Sequence, residues 1–281
     1  MISTVTVNYK TMDYTLRMLE SLFVHHTNTD MEVFVVENGS GDSTQELERR
    51  FPQVRLIQSE QNLGFAGGCN LALKEAKGDV LILVNPDILF EDNALEQIEA
   101  KMLTHVEVGI GGISLKNLDG SQQACVWAFP KPCDQILLLL KLNHIFPNLP
   151  PLKNWLMKDF DYTQSADVDQ VMGAFFCIRR EVLEEIGFLD DGFFIWYEEV
   201  DYCVRAKNAN WRVRYFSDLH AKHKKGASFD QVATIKKQAM LRRSIRRFMF
   251  KHYGFIGGML FVLGEPIFWV MSVLTSIIKP R

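Results

Sequence analysis

The sequence predicts an α/β fold in which helices flank a Rossmann-like, mostly parallel central sheet. Through the first hundred residues, segments with strand-like alternation are followed by segments with apolar residues at helical spacing. This alternation is typical of βαβ units, whose strands run parallel. The chain has 281 residues, 47% hydrophobic and 23% charged, which is the composition of a globular protein with a substantial core.

The strands and helices of this N-terminal half follow one another in a regular order. Four strands are predicted, at "STVTVNY", "MEVFVVENGSGD", "VRLIQSEQNLG" and "DVLILVNPD". Three helices lie between them: "TMDYTLRMLESLFVHH", "SGDSTQELERRF" with Asp42, Ser43 or Thr44 as its cap, and "GFAGGCNLALKEAKG", closed by Gly78. Polar residues follow each strand, at the edge of the sheet where doubly wound folds bind their ligands.

The regular pattern breaks down between residues 124 and 165. The stretch "QILLLLKLNHIFPNLPPLKNWL" combines an apolar run with three prolines. Three interpretations stay open for it: a mobile lid, a loop facing an acceptor, or a segment that touches a membrane. A strand and a short helix return at "VDQVMGAFFCIRREVLEEIGFLDDGFF".

The net charge of −3 conceals an acidic body and a basic C-terminal segment. Twelve of the 31 Lys and Arg residues but only two of the 34 acidic residues lie from Lys222 onward. This segment therefore carries +10 and the preceding residues carry −13. Such asymmetry indicates a polyanionic surface as partner. Nucleic acid is disfavoured, because no recognition motif accompanies the charge.

Residues 231–281 are predicted to form a helical tail that associates with a membrane. "IKKQAMLRRSIRRFMFKHYG" has the pattern of a basic amphipathic helix, and "FIGGMLFVLGEPIFWVMSVLTSII" is apolar but interrupted by Glu265 and Pro266. We expect two short helices in the interface, anchored on anionic lipid. The alternative is a pair of helices packed on the core with a solvated basic face.

The cysteines and the N-terminus indicate a reducing compartment. The five cysteines are scattered without a Cys-x-x-Cys pair, which argues against a disulfide framework and a zinc ribbon. "MISTVTVNYK" lacks the basic and long apolar regions of a signal peptide. We therefore expect the body of the protein in the cytoplasm.

The stretch "LILVNPDILF" places Asp87 directly after a strand that is apolar on both faces. A carboxylate there can bind a divalent metal together with phosphates, since Mg²⁺ and Mn²⁺ favour oxygen ligands. The alternative is an Asx-type turn or a cap for the helix that follows.

Three acids lie among aromatic and apolar residues in "FFIWYEEVDYCVR". On a helix, Glu198 and Asp201 share a face with Arg205, whereas Glu199 points elsewhere. Acids in apolar surroundings tend to have raised pKa values, which suits a general base. The alternative is a structural cluster paired with Arg205, plus a solvated Glu.

Two further stretches are candidates for a binding site. "DLHAKHKKGAS" contains His220 and His223, whose spacing allows a metal ligand beside a second polar group, although such histidines are more often solvated. The glycines of "QNLGFAGGCN" lie at a strand-to-helix turn and would let the backbone approach a diphosphate. Their spacing is not that of the dinucleotide fingerprint.

In order and approximate spacing, six blocks resemble family-2 glycosyltransferases with the GT-A fold, within them the rhamnosyltransferase-like branch. The blocks are "VTVNY", "VVENGSGD", "NLGFAGGCN", "LVNPDI", "GAFFCIRREVLEEIGFLDDGFFIWYEEVDYCVR" and "HAKHKKGAS". The resemblance covers roughly residues 2 to 230. It implies a donor-binding half at residues 1–100 and an acceptor-binding, catalytic half of the same domain at residues 101–230.

The resemblance assigns roles to individual residues. "NPD" corresponds to the metal-binding DxD motif, with Asp87 as the carboxylate on a Mg²⁺ or Mn²⁺ ion and His223 completing the site. Glu199 corresponds to the catalytic base. The residues expected near the nucleotide are Asn8, Glu37, Asn38, Asn62, Gly64 and Asn85. The residues expected to bind the acceptor or to support the site are Trp196, Tyr197, Glu198 and Asp201.

Two residues depart from the pattern of the family. Glu37 replaces the usual Asp, which bears on base selectivity, and Asn85 replaces an acid, which leaves one charge fewer for a metal. Trp196 and Tyr197 would stack on a sugar face or pack in the core.

The resemblance implies an inverting, metal-dependent hexosyltransferase at the cytoplasmic face of the plasma membrane. It would move a sugar from a nucleotide-sugar donor to a lipid-linked glycan in bacterial surface polysaccharide synthesis, with dTDP-L-rhamnose as first donor and UDP-hexoses as second. The rival hypothesis is a non-catalytic sugar-nucleotide-binding membrane scaffold of the same fold. Linkage and oligomeric state are left open.

Overall fold

The computed structural model describes residues 1–27, 29–224 and 234–278. Residues 225–233 lie outside this range, and with them the expected boundary between residues 230 and 231 and the end of the "HAKHKKGAS" block. The domain limits therefore stay predictions.

The central sheet contains nine strands in the described part of the chain, in the order β3-β2-β1-β4-β10-β6-β11-β5, with β8 added beside β11. A two-stranded sheet, β7-β9, lies apart from it. The strands are β1 (Ile2–Asn8), β2 (Met31–Asn38), β3 (Arg55–Ser59), β4 (Val80–Val84), β5 (Ile88–Leu89), β6 (Val108–Lys116), β7 (Val126–Trp127), β8 (Ala166–Asp167), β9 (Gln170–Val171), β10 (Phe175–Arg179) and β11 (Arg212–His223).

The sheet is mostly parallel, as predicted. Strands β1 to β4 pair in parallel, and β6 is parallel to β11. Strand β10 lies antiparallel between β4 and β6, so β6 and β11 continue the direction of the first four strands. Strands β5 and β8 are antiparallel to β11. The carboxyl ends of β1, β2, β3 and β4 therefore meet at one edge.

Eleven helices are described on and around this sheet. They are α1 (Met12–His25), α2 (Gln45–Arg50), α3 (Gly64–Leu73), α4 (Ala94–Thr104), α5 (Pro132–Leu139), α6 (Leu142–Ile145), α7 (Pro150–Trp155), α8 (Arg180–Ile186), α9 (Glu198–Asn208), α10 (Thr234–Leu263) and α11 (Glu265–Ile278).

Two expected helix ends differ from the structure. Thr44 precedes helix α2 without a side-chain cap, and the Asp42 carboxylate accepts a hydrogen bond from Asn8 Nδ2 instead, at 3.0 Å. Helix α3 ends at Leu73 rather than at Gly78. The Gly78 N–H donates to Ser3 Oγ at 2.7 Å, so this glycine lies against strand β1, where a side chain would collide with the Ser3 backbone.

The inner strands of the sheet are buried along their whole length. All residues of β1 and β4 are buried, because helices cover the sheet on both faces. The main core joins these strands to helices α1, α3 and α4. A second cluster contains Leu139 of α5, Tyr197 before α9, and Ile245, Phe248 and Met249 of α10.

Residues 124–165 form β7 and three short helices, α5 to α7. Leu139 and Leu152 are buried in this segment, whereas Ile145 and Phe146 are exposed. The Ala128 N–H donates to Trp155 O at 3.0 Å, which fastens the end of α7 to the residue after β7. The segment is thus folded, and its role as a lid, an acceptor-facing loop or a membrane-touching segment stays a prediction.

The first part of α10 packs on the body, where Ser244 Oγ donates to Ile195 O at 2.7 Å, and it is also tied to α11. Arg242 is buried, and it donates to Glu265 Oε1 at 2.9 Å and to Ser272 Oγ at 2.6 Å. Helix α10 breaks at Gly254, whose φ of 68° is left-handed, and α11 begins at Glu265 and Pro266. The expected pair of short helices is therefore longer than predicted, and one basic residue is inside rather than in solvent.

Among the described residues, no single helix combines the length and hydropathy needed to cross a bilayer. The pair Thr234–Leu263 and Glu265–Thr275, bent by 54° at the break, meets those criteria only when taken together.

Candidate active site

Asp87 lies at the carboxyl edge of the sheet, between β4 and β5, and is buried. Its Oδ1 is 3.3 Å from Nε2 of His223, the last residue of β11. Strand β5 pairs with the end of β11, with Ile88 opposite His223, which brings the two side chains together. The predicted Asp87–His223 pair is thus present, whereas His220 points to Asp92, 3.5 Å away.

Gln123 fixes the orientation of the His223 ring. The Gln123 Oε1 atom lies 2.7 Å from His223 Nδ1, and Gln123 Nε2 donates to Asn117 Oδ1 at 2.8 Å. Because an amide oxygen only accepts, Nδ1 carries the hydrogen in this pair. In the neutral ring, Nε2 then keeps its lone pair on the side of Asp87. A histidine held in this way is the usual form of a metal ligand.

The Asp87–His223 pair fits a divalent metal that takes its other ligands from outside the protein. A carboxylate oxygen, the ligand type that Mg²⁺ and Mn²⁺ favour, converges there with an imidazole nitrogen in a buried position. In the described ranges, no cluster of three or more His, Cys, Asp or Glu side chains could enclose a metal ion. The remaining ligands would be phosphate oxygens and water, as is common for ions bound with a nucleotide.

The nucleotide-side residues form two hydrogen-bonded sets, one at the end of β1 and one at the end of β2. Asn8 Oδ1 accepts from Thr11 and Thr15, both at 3.1 Å, which places helix α1 after β1. Asn38 Nδ2 donates to Gly64 O at 3.0 Å, and Asn62 Oδ1 accepts from Gly64 N at 2.9 Å. The end of β1 is thereby held to α1, and the end of β2 to the start of α3.

Glu37 and Gly64 shape the loops of the set at the end of β2. The Glu37 carboxylate accepts from the backbone N–H groups of Gly39 and Ser40, at 3.0 and 2.8 Å, so the longer side chain folds onto its own turn. Gly64 has a φ of 75°, and a Cβ atom there would collide with Phe194 O. Glycine at this position lets α3 begin against the loop that leads to the acidic helix α9.

Backbone contacts connect the end of β4 with Glu199. The Asn85 N–H donates to Ala174 O at 2.9 Å. At the adjacent Gly173, a Cβ atom would lie 3.5 Å from Glu199 Cγ. Glu199 is therefore near the edge that carries Asn85 and Asp87, although it follows them by more than a hundred residues.

One carboxyl oxygen of Glu199 has no hydrogen-bond partner in the described part of the chain. Its Oε2 atom is buried and unpartnered within the described structure, and the same holds for Glu198 Oε2. Burial raises the pKa of the Glu199 carboxyl above its ordinary value of 4.5. Burial, and next the charge of Glu199, raise the pKa of Glu198 further. A carboxylate in these surroundings is a strong proton acceptor.

Trp196 and Tyr197 adopt left-handed backbone conformations directly before the acids, with φ values of 62° and 74°. Such conformations cost about 1–3 kcal/mol each in non-glycine residues and persist where the surroundings enforce them. Tyr197 is buried, and its hydroxyl donates to Gln135 Oε1 at 2.5 Å. Tyr197 therefore packs in the core, one of its two predicted roles, and Trp196 stays half-buried.

Asp201 belongs to an ion-pair cluster that ties the tail to α9. It contacts Arg205 Nε at 2.9 Å, Lys251 Nζ at 2.7 Å and His252 Nε2 at 2.8 Å. Burial alone would raise the pKa of Asp201, but hydrogen bonds from His252 and Lys251 hold it below its ordinary value. The predicted pairing with Arg205 is present, and the tail supplies the other cations.

Two positions that orient the site could not be identified in the sequence. Gln123 lies one hundred residues before His223, in a stretch without a recognisable pattern. Gly173 begins the block of resemblance that also contains Glu199, but no local pattern shows that the two residues lie side by side. The pairing of β10 with β4 brings that glycine beside the end of β4.

The sequence profile described as "Glycosyl transferase family 2" matches residues 3–187 of this chain. The N-acetylglucosaminyl-diphospho-decaprenol L-rhamnosyltransferase of Mycobacterium tuberculosis is 25% identical over 236 residues. That alignment covers 80% of this chain and 76% of the relative.

Two solved structures share the fold. The chain superposes on Staphylococcus aureus TarS 1-349 in complex with UDP with a TM-score of 0.55 and 18% identity, covering 89% of this chain and 65% of that one. The chain thus spans less than two thirds of TarS 1-349. Against the mannosyltransferase PcManGT of Pyrobaculum calidifontis, solved with GDP-Man and Mn²⁺, the TM-score is 0.59 and the identity 15%, over 99% of this chain and 75% of that one.

Proposed function

The chain belongs to glycosyl transferase family 2, and we propose that it transfers a sugar from a nucleotide-sugar donor to a lipid-linked glycan in polysaccharide biosynthesis. The observation that carries the proposal is the pairing of Asp87 with His223 at the carboxyl edge of the sheet, with Glu199 beside Gly173, next to the residue that pairs with Asn85. Ligands of doubly wound folds bind at this edge. The M. tuberculosis relative, named for a diphospho-decaprenol substrate, supports the lipid-linked acceptor.

The donor would lie along the ends of β1, β2 and β4. Asn8, Asn38 and Asn62 hold the loops that would surround the nucleoside. The L-rhamnosyltransferase activity in the relative's name supports dTDP-L-rhamnose as the donor. UDP-hexoses are the second candidate, and Glu37, which stands where the family usually has Asp, bears on the selectivity for the base.

Glu199 would act as the general base of a single displacement. Its carboxylate accepts the proton of the acceptor hydroxyl while that oxygen attacks the anomeric carbon from the face opposite the diphosphate. One displacement inverts the configuration at that carbon. The apolar surroundings that raise the Glu199 pKa also make it the stronger base.

Asp87 and His223 would hold a Mg²⁺ or Mn²⁺ ion beside the diphosphate. When bound, such an ion supplies charge neutralisation for the leaving group. The role of the protein residues is to fix this position: Gln123 orients His223, and the short strand β5 holds the segment after Asp87 against β11. The Mn²⁺ in the PcManGT structure supports a divalent ion for this fold.

Titration of the purified full-length protein with dTDP, UDP and GDP tests this assignment. We expect one nucleotide to bind in Mn²⁺, measured by calorimetry, and its binding to be lost in EDTA. The result would name the base of the donor. Absence of binding for all three nucleotides, in protein shown to be folded by circular dichroism, would favour the non-catalytic scaffold.

The tail would hold the protein on the cytoplasmic face of an anionic membrane. Exposed apolar side chains cover the part of the tail beyond the Gly254 break, among them Phe255, Ile256 and Leu263. A groove of about 530 Å³ on α10 is lined by basic side chains, with Asp190, Gly192 and Phe250 beside them. The basic residues are Arg243, Arg246, Arg247 and Lys251. Apolar side chains flanked by cations match an anionic lipid surface.

Replacing Phe255, Ile256 and Leu263 together by Ser is expected to weaken binding to anionic vesicles at least about tenfold. Each of these side chains would otherwise contribute roughly 1.5–3 kcal/mol by leaving water. The measurement is sedimentation with vesicles that contain phosphatidylglycerol. Truncation is less informative, because Ile245 and Phe248 of the tail are part of the core.

A matched control removes equally exposed apolar side chains from the body. Val24, Leu103 and Val106 are 65%, 63% and 68% exposed, against 74%, 78% and 72% for Phe255, Ile256 and Leu263. Their triple Ser variant should sediment as the wild type does. Equal loss in both variants, or none in either, would contradict a membrane-binding tail.

A further inference from the structure

Helix α10 of the tail contacts the chain on both sides of Glu199. Before the acid, Ser244 Oγ donates to the carbonyl oxygen of Ile195 at 2.7 Å. After it, His252 Nε2 donates to Asp201 Oδ1 at 2.8 Å, since a carboxylate oxygen only accepts. These hydrogen bonds join residues 49 and 51 positions apart in the sequence. The tail helix therefore borders the proposed base from both directions along the chain.

An aromatic contact lies between these two hydrogen bonds. The ring centroids of Phe248 and Tyr197 are 5.3 Å apart, and those of Phe248 and His252 are 4.5 Å apart. Both Phe248 and Tyr197 are buried. Ser244, Phe248 and His252 follow one another at intervals of four residues, which places them on one face of α10. Residues 195–201 pack against that face.

The same helix also holds the loop that leads to this segment. Asp190 accepts hydrogen bonds from Arg247 Nη2 at 2.6 Å and from Lys251 Nζ at 2.7 Å. On its other side the loop is fastened to α3, because Asn70 Nδ2 donates to the carbonyl oxygen of Leu189 at 2.9 Å. The loop is thus held between helix α3 and the tail.

The backbone just before Glu199 depends on such external contacts. Trp196 and Tyr197 both have positive φ values, and non-glycine residues keep such values only where the surroundings enforce them. Helix α9 begins at the next residue, Glu198. Relaxation of the two residues to ordinary backbone angles would rotate the start of α9 and displace Glu199 with it.

We propose that helix α10 positions Glu199 for catalysis, with Ser244, Phe248 and His252 as the positioning residues. The proposal rests on the proposed function for the role of Glu199 as general base. It makes the tail a part of the catalytic apparatus in addition to its proposed place on the membrane. A displacement of a reacting group by about 1 Å can lower a rate by about 10²-fold, so a small movement of this segment is measurable as lost turnover.

His252→Leu and Ser244→Ala, each made in the full-length protein, test the proposal. Each variant removes one hydrogen bond to residues 195–201 and leaves Glu199 itself unchanged. The substrates are dTDP-L-rhamnose and UDP-glucose with water as the acceptor, and the release of dTDP or UDP is measured. We expect kcat to fall about 10- to 100-fold and the KM for the donor to stay as in the wild type.

A conservative variant separates positioning from a defect in folding. His252→Gln keeps an N–H donor at the end of the side chain and should recover most of the turnover that His252→Leu loses. Gln238→Leu is the matched control, because it removes a hydrogen bond of 2.6 Å between α10 and Lys141, outside residues 195–201. It should turn over as the wild type does. The melting temperature and the stoichiometry of nucleotide binding in Mn²⁺ report the folded fraction of each variant.

Hydrogen exchange of peptides that contain residues 195–201 gives a readout independent of turnover. Exchange there should be faster in His252→Leu and Ser244→Ala than in the wild type, because local opening becomes easier when contacts are lost. Gln238→Leu should exchange at the wild-type rate in these peptides.

The outcomes distinguish this inference from the proposed function. Wild-type turnover in both His252→Leu and Ser244→Ala would overturn the positioning role alone, whether or not exchange is faster. A loss of turnover matched by an equal loss of nucleotide-binding sites, or one that His252→Gln does not reverse, would also overturn it. Wild-type protein that releases neither dTDP nor UDP would overturn the proposed function and, with it, the role assigned to α10.

Discussion

Asp87→Asn is expected to lower kcat/KM for sugar transfer by about 10²- to 10³-fold and to abolish the dependence of nucleotide binding on Mn²⁺. The substitution keeps the size of the side chain but removes its charge from the pair with His223. A metal ion that stabilises a leaving diphosphate is worth several kcal/mol, and each 1.36 kcal/mol changes the rate tenfold. Calorimetry with the preferred nucleotide and an assay of transfer would measure both effects.

Asp92→Asn provides the matched control for this variant. Asp92 follows β5 and lies 3.5 Å from His220, so it is also a carboxylate paired with a histidine of β11. It lies outside the proposed metal site, and its substitution should leave transfer and nucleotide binding unchanged. Equal activity of Asp87→Asn and Asp92→Asn would leave "NPD" as a turn between two strands.

Glu199→Gln is expected to lower kcat by about 10²- to 10⁴-fold while nucleotide binding in Mn²⁺ persists. The amide cannot accept the proton of the acceptor hydroxyl, and general bases contribute rate factors of this size. Because the proposed donor contacts do not include this side chain, the dissociation constant of the nucleotide should not change. Loss of nucleotide binding together with activity would instead indicate a structural role.

The pH dependence of transfer gives a second readout for Glu199. A base must be deprotonated to act, and burial raises its pKa above the ordinary 4.5. Activity should therefore rise with pH through a range higher than that of an exposed carboxylate, and this limb should disappear from the residual rate of Glu199→Gln. Glu185→Gln, on helix α8, should retain the profile of the wild type.

Much of the fold could be predicted because its signals are local. Strands β1 and β4 are buried on both faces, and a strand of that kind has a continuous apolar sequence. Helix α1 buries Leu16, Leu19 and Leu22, the spacing expected from a single buried face. The position of β10 is different, since its antiparallel place between β4 and β6 depends on pairing with strands far away in the chain.

The sequence analysis predicted the polar residues of the candidate site but not the residues that hold them in position. Asp87 was recognisable as a carboxylate after a strand and His223 by its spacing from His220, and the structure places the two side chains 3.3 Å apart. Asp201 was recognisable as a partner of Arg205, but not of Lys251 and His252, which arrive from the tail. The sequence indicates that a charged residue among apolar neighbours will have an ion-pair partner. It does not indicate which residue that partner is when the partner lies far away in the chain.

The sequence by itself determined the α/β class, the membership of the family and the acidic and histidine residues at the edge of the sheet. These follow from periodicity and from ordered motifs, which depend on neighbouring residues. Only the tertiary structure decided that Gln123 orients His223, that Arg242 is buried against Glu265, and that Ser244 and His252 of the tail contact the chain on both sides of Glu199. The physical reason is that such contacts form between segments far apart in the chain, where packing of whole elements sets the partner and no local pattern records it.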